Sequence, residues 1–283
     1  MIKEPTTKLK FQIDGVDIEF VTRFFEGAPK TFSSIFMGET YPALKIFSPS
    51  TIIDVGANIG ATSIFFSINY PKAKIFCFEP SSVNFPLLEK NIEPFENIIA
   101  YRKGIYSEEK TEIMYIDPIQ PGRNSINSNW NKSQTVEKIN LISLKKFLVE
   151  NKIQIVDILK IDTEGCEVPI LFSVKEYLKD IKILYIEYHS SNDRDEIRRL
   201  LENTHFVLRE LIVGATKSKL DKSLIGKKIL EEVKINKNLI VRKGEEISEE
   251  MLARLHKLKL TTIMVRSKEV GEIIFLNKKY KKQ

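Results

Sequence analysis

The chain has 283 residues, 42% of them hydrophobic and 10% aromatic, which suits one large α/β domain with a modest appendage. Its apolar runs have the length of strands, well short of the ~20 residues of a membrane-spanning helix. No apolar stretch follows the N-terminus, so we expect a soluble, cytoplasmic protein with no membrane span and no secretory signal. The two cysteines, Cys77 and Cys166, lack metal-ligand spacing, which argues against a zinc site or a disulfide framework.

The formal net charge of +6 is concentrated in the C-terminal quarter, where residues 219–283 hold 17 Lys and Arg against 9 Asp and Glu. A basic region of this kind attracts nucleic acid, anionic lipid or an acidic polymer. It is equally consistent with a well-solvated, lysine-rich surface. The charge pattern alone leaves these alternatives open.

Strands and helices alternate from residue 51 onward, after an N-terminal hairpin signal around Asp14-Gly15. This alternation predicts a mostly parallel, doubly wound sheet with helices on both faces. The predicted strands are 51–55, 74–78, 98–102, 112–116, 155–161, 183–188, 206–213 and 271–276. The predicted helices are 61–69, 81–91, 143–150, 167–179, 193–202 and 248–258. Between them lies a polar loop at 117–133 with a lone Trp130, and loops of this length are usually functional or disordered.

The pattern divides the chain into four segments. They are an N-terminal hairpin and lead-in at 1–50, the main α/β domain at 51–217, a small β-rich inserted module at 218–268, and a closing strand with a basic tail at 269–283. The inserted module is predicted to contain strands at 226–233, 240–244 and 262–266, and Ser248 is placed to begin its helix.

The most informative segment is the turn Asp54-Val55-Gly56-Ala57-Asn58-Ile59-Gly60, which joins a predicted strand to a helix. Glycine lets a backbone approach a ligand closely, and a helix N-terminus favours an anionic group such as a carboxylate. Glu79 stands at the end of the next predicted strand, where an acid recognises ribose hydroxyls in nucleotide-type cofactor sites. The Gly-x-x-x-Gly spacing differs from the dinucleotide pattern.

Two further strand ends carry polar groups. Lys160-Ile161-Asp162-Thr163-Glu164 places two carboxylates at the carboxyl end of a predicted central strand, the edge where open α/β sheets bind ligands. Asp162 and Glu164 are therefore candidates to orient a positively charged cofactor group or to accept a proton, or they are acids that begin a helix. His189 ends the next strand and is a candidate base or a structural hydrogen-bonding residue.

Together these residues resemble the FkbM-type methyltransferase family, over about residues 30–215 and the closing strand near 271–279. The resemblance rests on the Asp54–Gly60 turn, on Phe78-Glu79-Pro80, on Lys160–Glu167 and on Gly38-Glu39-Thr40-Tyr41. It implies a Rossmann-like class I methyltransferase fold with a seven-stranded, mostly parallel sheet. It also implies that S-adenosyl-L-methionine is the methyl donor, that S-adenosyl-L-homocysteine is the product, and that O-methylation proceeds without a metal.

The resemblance also implies roles for individual residues. The implied cofactor-binding residues are Glu39, Tyr41, Asp54, Gly56, Asn58, Gly60, Glu79, Pro80, Ser81, Gly104, Ser107 and Asp162. The implied catalytic residues are Asp162, Glu164 and His189, with no metal ligand among them. The inserted module at 218–268 departs from the family pattern.

The resemblance favours a hydroxyl on a sugar, a glycan or a small natural product as the acceptor. A first alternative is methylation of nucleic acid or protein through the basic C-terminal region, although no basic platform interleaved with aromatic residues is visible. A second alternative is a cofactor-binding module without catalysis. The loop at 117–133, with Arg123, Asn124 and Ser125, is predicted to border the acceptor site. The sequence predicts no oligomeric state.

Overall fold

The structure is a computed structural model. It describes residues 6–13, 15–23, 28–117, 121–128, 133–212, 215–219, 222–226, 229, 233–235, 238–242, 244–258, 262–266 and 270–280. Asp14 of the predicted hairpin turn, Trp130 and the last three residues of the basic tail lie outside the described residues. The strand predicted at 226–233 is only partly described.

Strands and helices alternate along the central part of the chain, as predicted. The strands are β1 (Thr6–Ile13), β2 (Val16–Arg23), β3 (Thr51–Val55), β4 (Lys74–Phe78), β5 (Ile98–Tyr101), β6 (Gly104–Tyr106), β7 (Lys110–Tyr115), β8 (Val136–Ser143), β9 (Val156–Ile161), β10 (Ile181–Tyr188), β11 (His205–Ile212), β12 (Ala215–Lys219), β13 (Val233–Ile235), β14 (Asn238–Val241), β15 (Thr262–Arg266) and β16 (Gly271–Asn277). The helices are α1 (Ala28–Phe36), α2 (Ala61–Asn69), α3 (Phe85–Ile92), α4 (Leu144–Glu150), α5 (Glu167–Ser173), α6 (Ser191–Leu201) and α7 (Glu249–Lys257).

The central sheet has seven strands in the order β11-β16-β10-β9-β3-β4-β5. The neighbouring strands β5, β4, β3, β9 and β10 pair in parallel, and β16 is antiparallel to both of its neighbours, β10 and β11. The predicted Rossmann-like, mostly parallel sheet is therefore confirmed. Along the chain, β3, β4 and β5 proceed toward one edge of the sheet, and β9 then lies on the other side of β3. The carboxyl ends of β3 and β9 therefore form the switch point where such sheets bind ligands.

Both faces of the sheet are covered, because successive side chains of a strand point to opposite sides. On one face Ile52 packs in a cluster with Phe66 of α2 and Leu88 of α3. On the other face Ile53 packs with Phe147 of α4 and other apolar side chains. The strand β9 is buried along its whole length, as expected for a central parallel strand. This rigid sheet fixes the loops at its carboxyl edge.

Some elements differ from the sequence predictions. The helix predicted at 81–91 begins at Phe85, because the hydroxyl of Ser81 accepts hydrogen bonds from the backbone N–H groups of Val83 and Asn84 and forms a turn. The helix predicted at 167–179 ends at Ser173. The strands β6, β8 and β12 and the helix α1 were not predicted, and β6 and β8 join β7 in a small three-stranded sheet in the order β6-β8-β7.

Between β11 and β16 the chain forms a small unit with its own apolar cluster. The cluster comprises Leu224, Ile229, Val241, Ile247, Leu252 and Leu255. Strands β12 and β15 pair antiparallel near the two ends of this segment, and α7 begins after the predicted cap Ser248, whose hydroxyl accepts from the Met251 N–H at 3.1 Å. We propose on this basis that 218–268 is an inserted module. No helix in the described part of the chain is both long and apolar enough to cross a bilayer.

Candidate functional site

Two adjoining pockets open at the carboxyl edge of the sheet, at the switch point. The first, of about 670 Å³, lies against Glu79 and Gly104. The second, of about 1120 Å³, lies against Tyr41 and Glu187. Gly56, Asn58, Gly122 and Asp162 line both pockets, so the two spaces meet at the glycine turn and the loop after β9. Both volumes fall in or near the range of small-molecule sites.

The glycine turn brings the ends of β3 and β9 into direct backbone contact. Gly56 has φ of +77°, and a Cβ atom there would lie 1.7 Å from the carbonyl oxygen of Asp162, so glycine is required on both counts. The helix α2 follows. Its N-cap residue is Gly60, which has no side chain to accept the N–H groups of the first turn. Ala61 and Thr62 line the second pocket, so this helix N-terminus is suited to a ligand carboxylate.

Glu79 is a buried carboxyl group at the end of β4, beside the first pocket. Its Oε2 accepts the Asn58 N–H at 2.9 Å, and its Oε1 accepts the Ser81 N–H at 3.1 Å and the Asn84 side-chain amide at 3.4 Å. Burial raises the pKa of Glu79 to about 7, against these hydrogen bonds, which lower it. The carboxyl group is thus held in one orientation, as recognition of a pair of ribose hydroxyls requires.

A buried lysine underlies the turn. Lys160 Nζ lies 3.1 Å from Asp54 Oδ1 and 3.6 Å from Asp162 Oδ2, and it donates a hydrogen bond to the Gly56 carbonyl at 2.7 Å. Burial alone would lower the pKa of Lys160, but the two carboxylates raise it, so the ammonium stays charged. Sequence reasoning assigned Lys160 no role. The available signal was a lysine inside an otherwise apolar strand.

His189 is enclosed by carboxylates. Its Nδ1 lies 3.2 Å from Glu167 Oε1, and its Nε2 lies 3.3 Å from Glu164 Oε2. Burial opposes a charge on the ring, but Glu167 and Glu164 outweigh it and raise the pKa of His189 to about 10. An imidazolium holds its proton at neutral pH, and His189 lines neither pocket. This environment does not suit the general-base role predicted for His189.

The second pocket contains a group of carboxyl groups on neighbouring strands. Glu187 of β10 is directly opposite Glu272 of β16, and Asp162 completes the group at the end of β9. Burial and the nearby Asp162 raise the pKa of Glu187 well above its usual value. Burial raises the pKa of Glu272 to about 7, while Arg209 opposes the shift. Two acidic side chains directly opposite each other cost stability in a sheet whenever both are charged, and burial adds to that cost, so their placement in a pocket points to a binding role. Sequence reasoning missed both glutamates.

The structure brings most of the predicted site residues together. Those that line a pocket are Tyr41, Gly56, Asn58, Glu79, Pro80, Gly104, Asp162 and Glu164. Asp54, Gly60 and Ser81 support this wall from behind, and the Tyr41 hydroxyl donates to Asp162 Oδ2 at 3.2 Å. Glu39 is exposed and Ser107 lies in the turn after β6, so neither side chain is part of a pocket lining.

A mostly parallel seven-stranded sheet, a glycine turn after its central strand and a buried acid after the next strand define the Rossmann-like class of fold on which S-adenosyl-L-methionine-dependent methyltransferases are built. The Methyltransferase FkbM domain matches residues 54–212, and the chain belongs to this family. As a member of this family, it uses S-adenosyl-L-methionine as its cofactor.

Three characterised relatives are similar to this chain. Methyltransferase sdnD of Sordaria araneosa is 26% identical, over 62% of this chain and 80% of its own length. Hexuronic acid methyltransferase AglP of Haloferax volcanii is 25% identical, over 52% of this chain and 59% of its own length. The 2-O-methyltransferase NoeI of Sinorhizobium fredii is 25% identical, over 58% of this chain and 74% of its own length.

Two solved structures illustrate the likeness at the level of the fold. The fibrillarin pre-rRNA processing protein of Methanococcus jannaschii has a TM-score of 0.45 and 10% identity, covering 95% of this chain and 82% of that one. A SAM-dependent O-methyltransferase from Thermotoga maritima has a TM-score of 0.39 and 13% identity, covering 95% and 77%.

Proposed function

We propose that this protein methylates a hydroxyl group on a sugar, a glycan or a small natural product. The observation that carries the proposal is the group of carboxyl groups, Asp162, Glu187 and Glu272, in the pocket beside the glycine turn. Carboxylates accept hydrogen bonds from hydroxyl groups, and several together suit a polyhydroxylated ligand. Two relatives named for a hexuronic acid and for 2-O-methylation support the same acceptor class.

The first pocket and the α2 N-terminus fit the cofactor. We assign Glu79 to the ribose hydroxyls, and Pro80 and Gly104 to the wall beside the adenine. We assign the methionine part to the space beside Gly56, where the two pockets meet and where the Asp162 backbone packs directly against the glycine, and the N–H groups at the start of α2 suit its carboxylate. Lys160 keeps the Gly56 carbonyl fixed beneath this space.

The residues of the second pocket would align the acceptor and receive its proton. Bound S-adenosyl-L-methionine supplies a methyl group on a positively charged sulfur, already activated for transfer. Transfer of that methyl group to the acceptor oxygen would leave the electron pair of the carbon–sulfur bond on sulfur, so the only charge that the protein would have to take up is the hydroxyl proton. We assign Asp162, which lines both pockets, as the carboxylate that would accept the hydroxyl proton. Alignment contributes about 7–11 kcal/mol in ideal cases, and a base roughly 10²–10⁴-fold.

The roles of Glu164 and His189 differ from those of Asp162. Both side chains belong to one cluster with Glu167, and the Glu167 Oε1 also accepts the backbone N–H groups of Thr163 and Gly165 at 3.0 and 3.2 Å. This cluster fixes the loop that carries Asp162. We therefore assign Glu164 and His189 to holding the loop after β9 in place.

A methyl-transfer screen tests the proposal. The full chain is incubated with methyl-labelled cofactor and either uronic acids, oligosaccharides and hydroxylated small molecules or RNA, each at two salt concentrations. We expect label in a hydroxylated compound, with little dependence on salt. Label in RNA that falls steeply with salt would instead support the nucleic-acid alternative. Binding of S-adenosyl-L-homocysteine without any transfer would support the non-catalytic one.

The matched variant for this screen is Asp162→Asn, which keeps the size of the side chain and removes its charge. We expect it to bind S-adenosyl-L-homocysteine within a few-fold of the unaltered chain and to lose roughly 10²–10⁴-fold in transfer rate. Transfer at the unaltered rate would contradict the assignment of Asp162.

A further inference from the structure

Three side chains at the carboxyl ends of β9 and β10 present metal-ligand atoms to one another. Asp162 and Glu164 come from the loop after β9, and His189 comes from the end of β10. One ligand atom from each lies within 4.8 Å of the others. Nitrogen and oxygen ligands at roughly 2.1 Å from one ion lie no more than about 4.2 Å apart. A small contraction would therefore complete a coordination site.

The imidazole of His189 is oriented as a metal-binding histidine requires. Glu167 Oε1 lies 3.2 Å from Nδ1, and this oxygen is itself fixed by the backbone N–H and the hydroxyl of Thr163, both at 3.0 Å. A carboxylate that accepts one ring N–H directs the other ring nitrogen toward the ion. Here Nε2 is directed at Glu164 Oε2, 3.3 Å away, and at Glu187 Oε1, 3.9 Å away.

Even with a proton on Nε2, carboxyl groups outnumber positive charges around His189, and a bound cation would take the place of that proton. Asp162, Glu164 and Glu187 are the carboxylates that face this space. Lys160 reaches Asp162 at 3.6 Å, but it is closer to the buried Asp54, at 3.1 Å, and must serve both. A cation between Nε2 and the carboxylates would balance this excess where water has little access, since His189 is 2% exposed.

We propose that Asp162, Glu164 and His189 bind one divalent cation, with Glu187 in reach as a further ligand. Two carboxylates and one imidazole suit Mn²⁺ or Zn²⁺ better than Mg²⁺, which prefers oxygen ligands and water. On the proposed function, an acceptor hydroxyl on the cation would lose its proton more readily to a neighbouring carboxylate. The proposed cation site differs from the expectation, implied by the sequence resemblance, that methylation proceeds without a metal, and a direct binding measurement decides between the two.

Direct measurement of Mn²⁺ binding tests the site without an acceptor. The full chain is stripped with a chelator and titrated with Mn²⁺ while the paramagnetic resonance signal of the free ion is recorded. We expect one tight site per chain. Glu164→Gln should weaken it by more than the roughly 10–100-fold that loss of an outer-shell partner costs. The matched control is Glu176→Gln, a surface carboxylate paired with Lys145 at 3.2 Å, which should bind Mn²⁺ normally.

His189→Gln is the second variant, and a thermal melt of each variant identifies any that fails to fold. Glu164 is partly exposed, so its variant keeps the test interpretable if His189→Gln unfolds. No saturable Mn²⁺ or Zn²⁺ binding by the unaltered chain, or equal binding by Glu164→Gln, overturns the cation site.

The proposed function can be tested independently of the cation site. Hydroxyl methylation that persists unchanged in chelator would leave that function intact and count against the cation. Tight Mn²⁺ binding without methylation of any hydroxylated compound would support the cation site and contradict the proposed acceptor.

Discussion

At the scale of single residues, Glu79 shows how burial and hydrogen bonding prepare a binding group. The carboxyl group is 6% exposed, yet it faces the first pocket and accepts backbone N–H groups from Asn58 and Ser81. These contacts fix both oxygens before a ligand arrives, so little side-chain entropy is lost on binding. A hydroxyl pair that reaches this carboxyl group adds hydrogen bonds in a nearly water-free place.

We expect Glu79→Gln to weaken S-adenosyl-L-homocysteine binding roughly ten- to hundredfold, because a hydrogen bond to a charged group contributes about 1.5–3 kcal/mol. Calorimetric titration measures the dissociation constant. Glu89→Gln, on the exposed side of α3, is the matched control and should bind normally. Glutamine keeps an acceptor oxygen for only one of the two backbone N–H groups, so the melting temperature should fall by a few degrees while the chain remains folded at the temperature of the titration. Equal affinity in the two variants would remove Glu79 from the ribose site.

At the scale of elements, the segment 121–128 closes the first pocket. Ser125 is 1% exposed, and its hydroxyl donates to the Glu164 carbonyl at 2.6 Å while accepting the Asn127 N–H at 3.0 Å. Its backbone also pairs with Tyr115 of β7. The loop was predicted to border the acceptor site, but Asn124 and Ser125 line the first pocket, on the cofactor side, and Gly122 alone among the described loop residues lines both pockets.

Ser125→Ala should therefore weaken the binding of the cofactor more than the binding of the acceptor. We expect S-adenosyl-L-homocysteine to bind about two- to tenfold more weakly, because one neutral hydrogen bond contributes roughly 0.5–1.5 kcal/mol. The matched control is Ser133→Ala in the same connection: the Ser133 hydroxyl accepts the Thr135 N–H at 3.1 Å, and Ser133 lines neither pocket. A changed acceptor KM with unchanged cofactor affinity would instead support the prediction from sequence that the loop borders the acceptor site.

At the scale of the whole molecule, His205 ties the edge of the sheet to its centre. Its Nε2 donates to the Ile181 carbonyl of β10 at 3.0 Å, and its Nδ1 accepts from the Thr204 hydroxyl at 2.8 Å. Both contacts suit a neutral ring. Burial lowers the pKa of His205 to about 4, against the hydrogen bond to Ile181, which raises it.

This residue should make folding sensitive to acid. In the unfolded chain His205 binds a proton as the pH falls below its ordinary pKa of about 6.5. In the folded chain the ring stays neutral until about pH 4. The free energy of unfolding should therefore fall across this window, by up to roughly 3 kcal/mol from His205 alone. We expect the stability difference between the unaltered chain and His205→Gln, measured by urea unfolding, to shrink from pH 7 to pH 4. A difference that is constant with pH would contradict this origin.

Local patterns predicted the central fold well. The predicted bounds of β3, β4 and α2 agree with the structure because each is a continuous apolar run ended by glycine or proline. The strand β8 escaped prediction because its alternating part is short, a polar loop precedes it and its last residue, Ser143, begins a helix. The turn around Ser81 was read as helix because a hydroxyl at that place also suits a helix cap.

The sequence by itself determined the cofactor turn and its acid, because the Asp54–Gly60 segment and Glu79 are set by local geometry: a strand, a turn that only glycine fits, and the next strand. Only the tertiary structure decided which carboxylates face the acceptor and what surrounds His189. Glu187 and Glu272 meet through the register of two antiparallel strands that are far apart in sequence. A one-residue slip of that register would turn either side chain to the opposite face, and no local pattern specifies it.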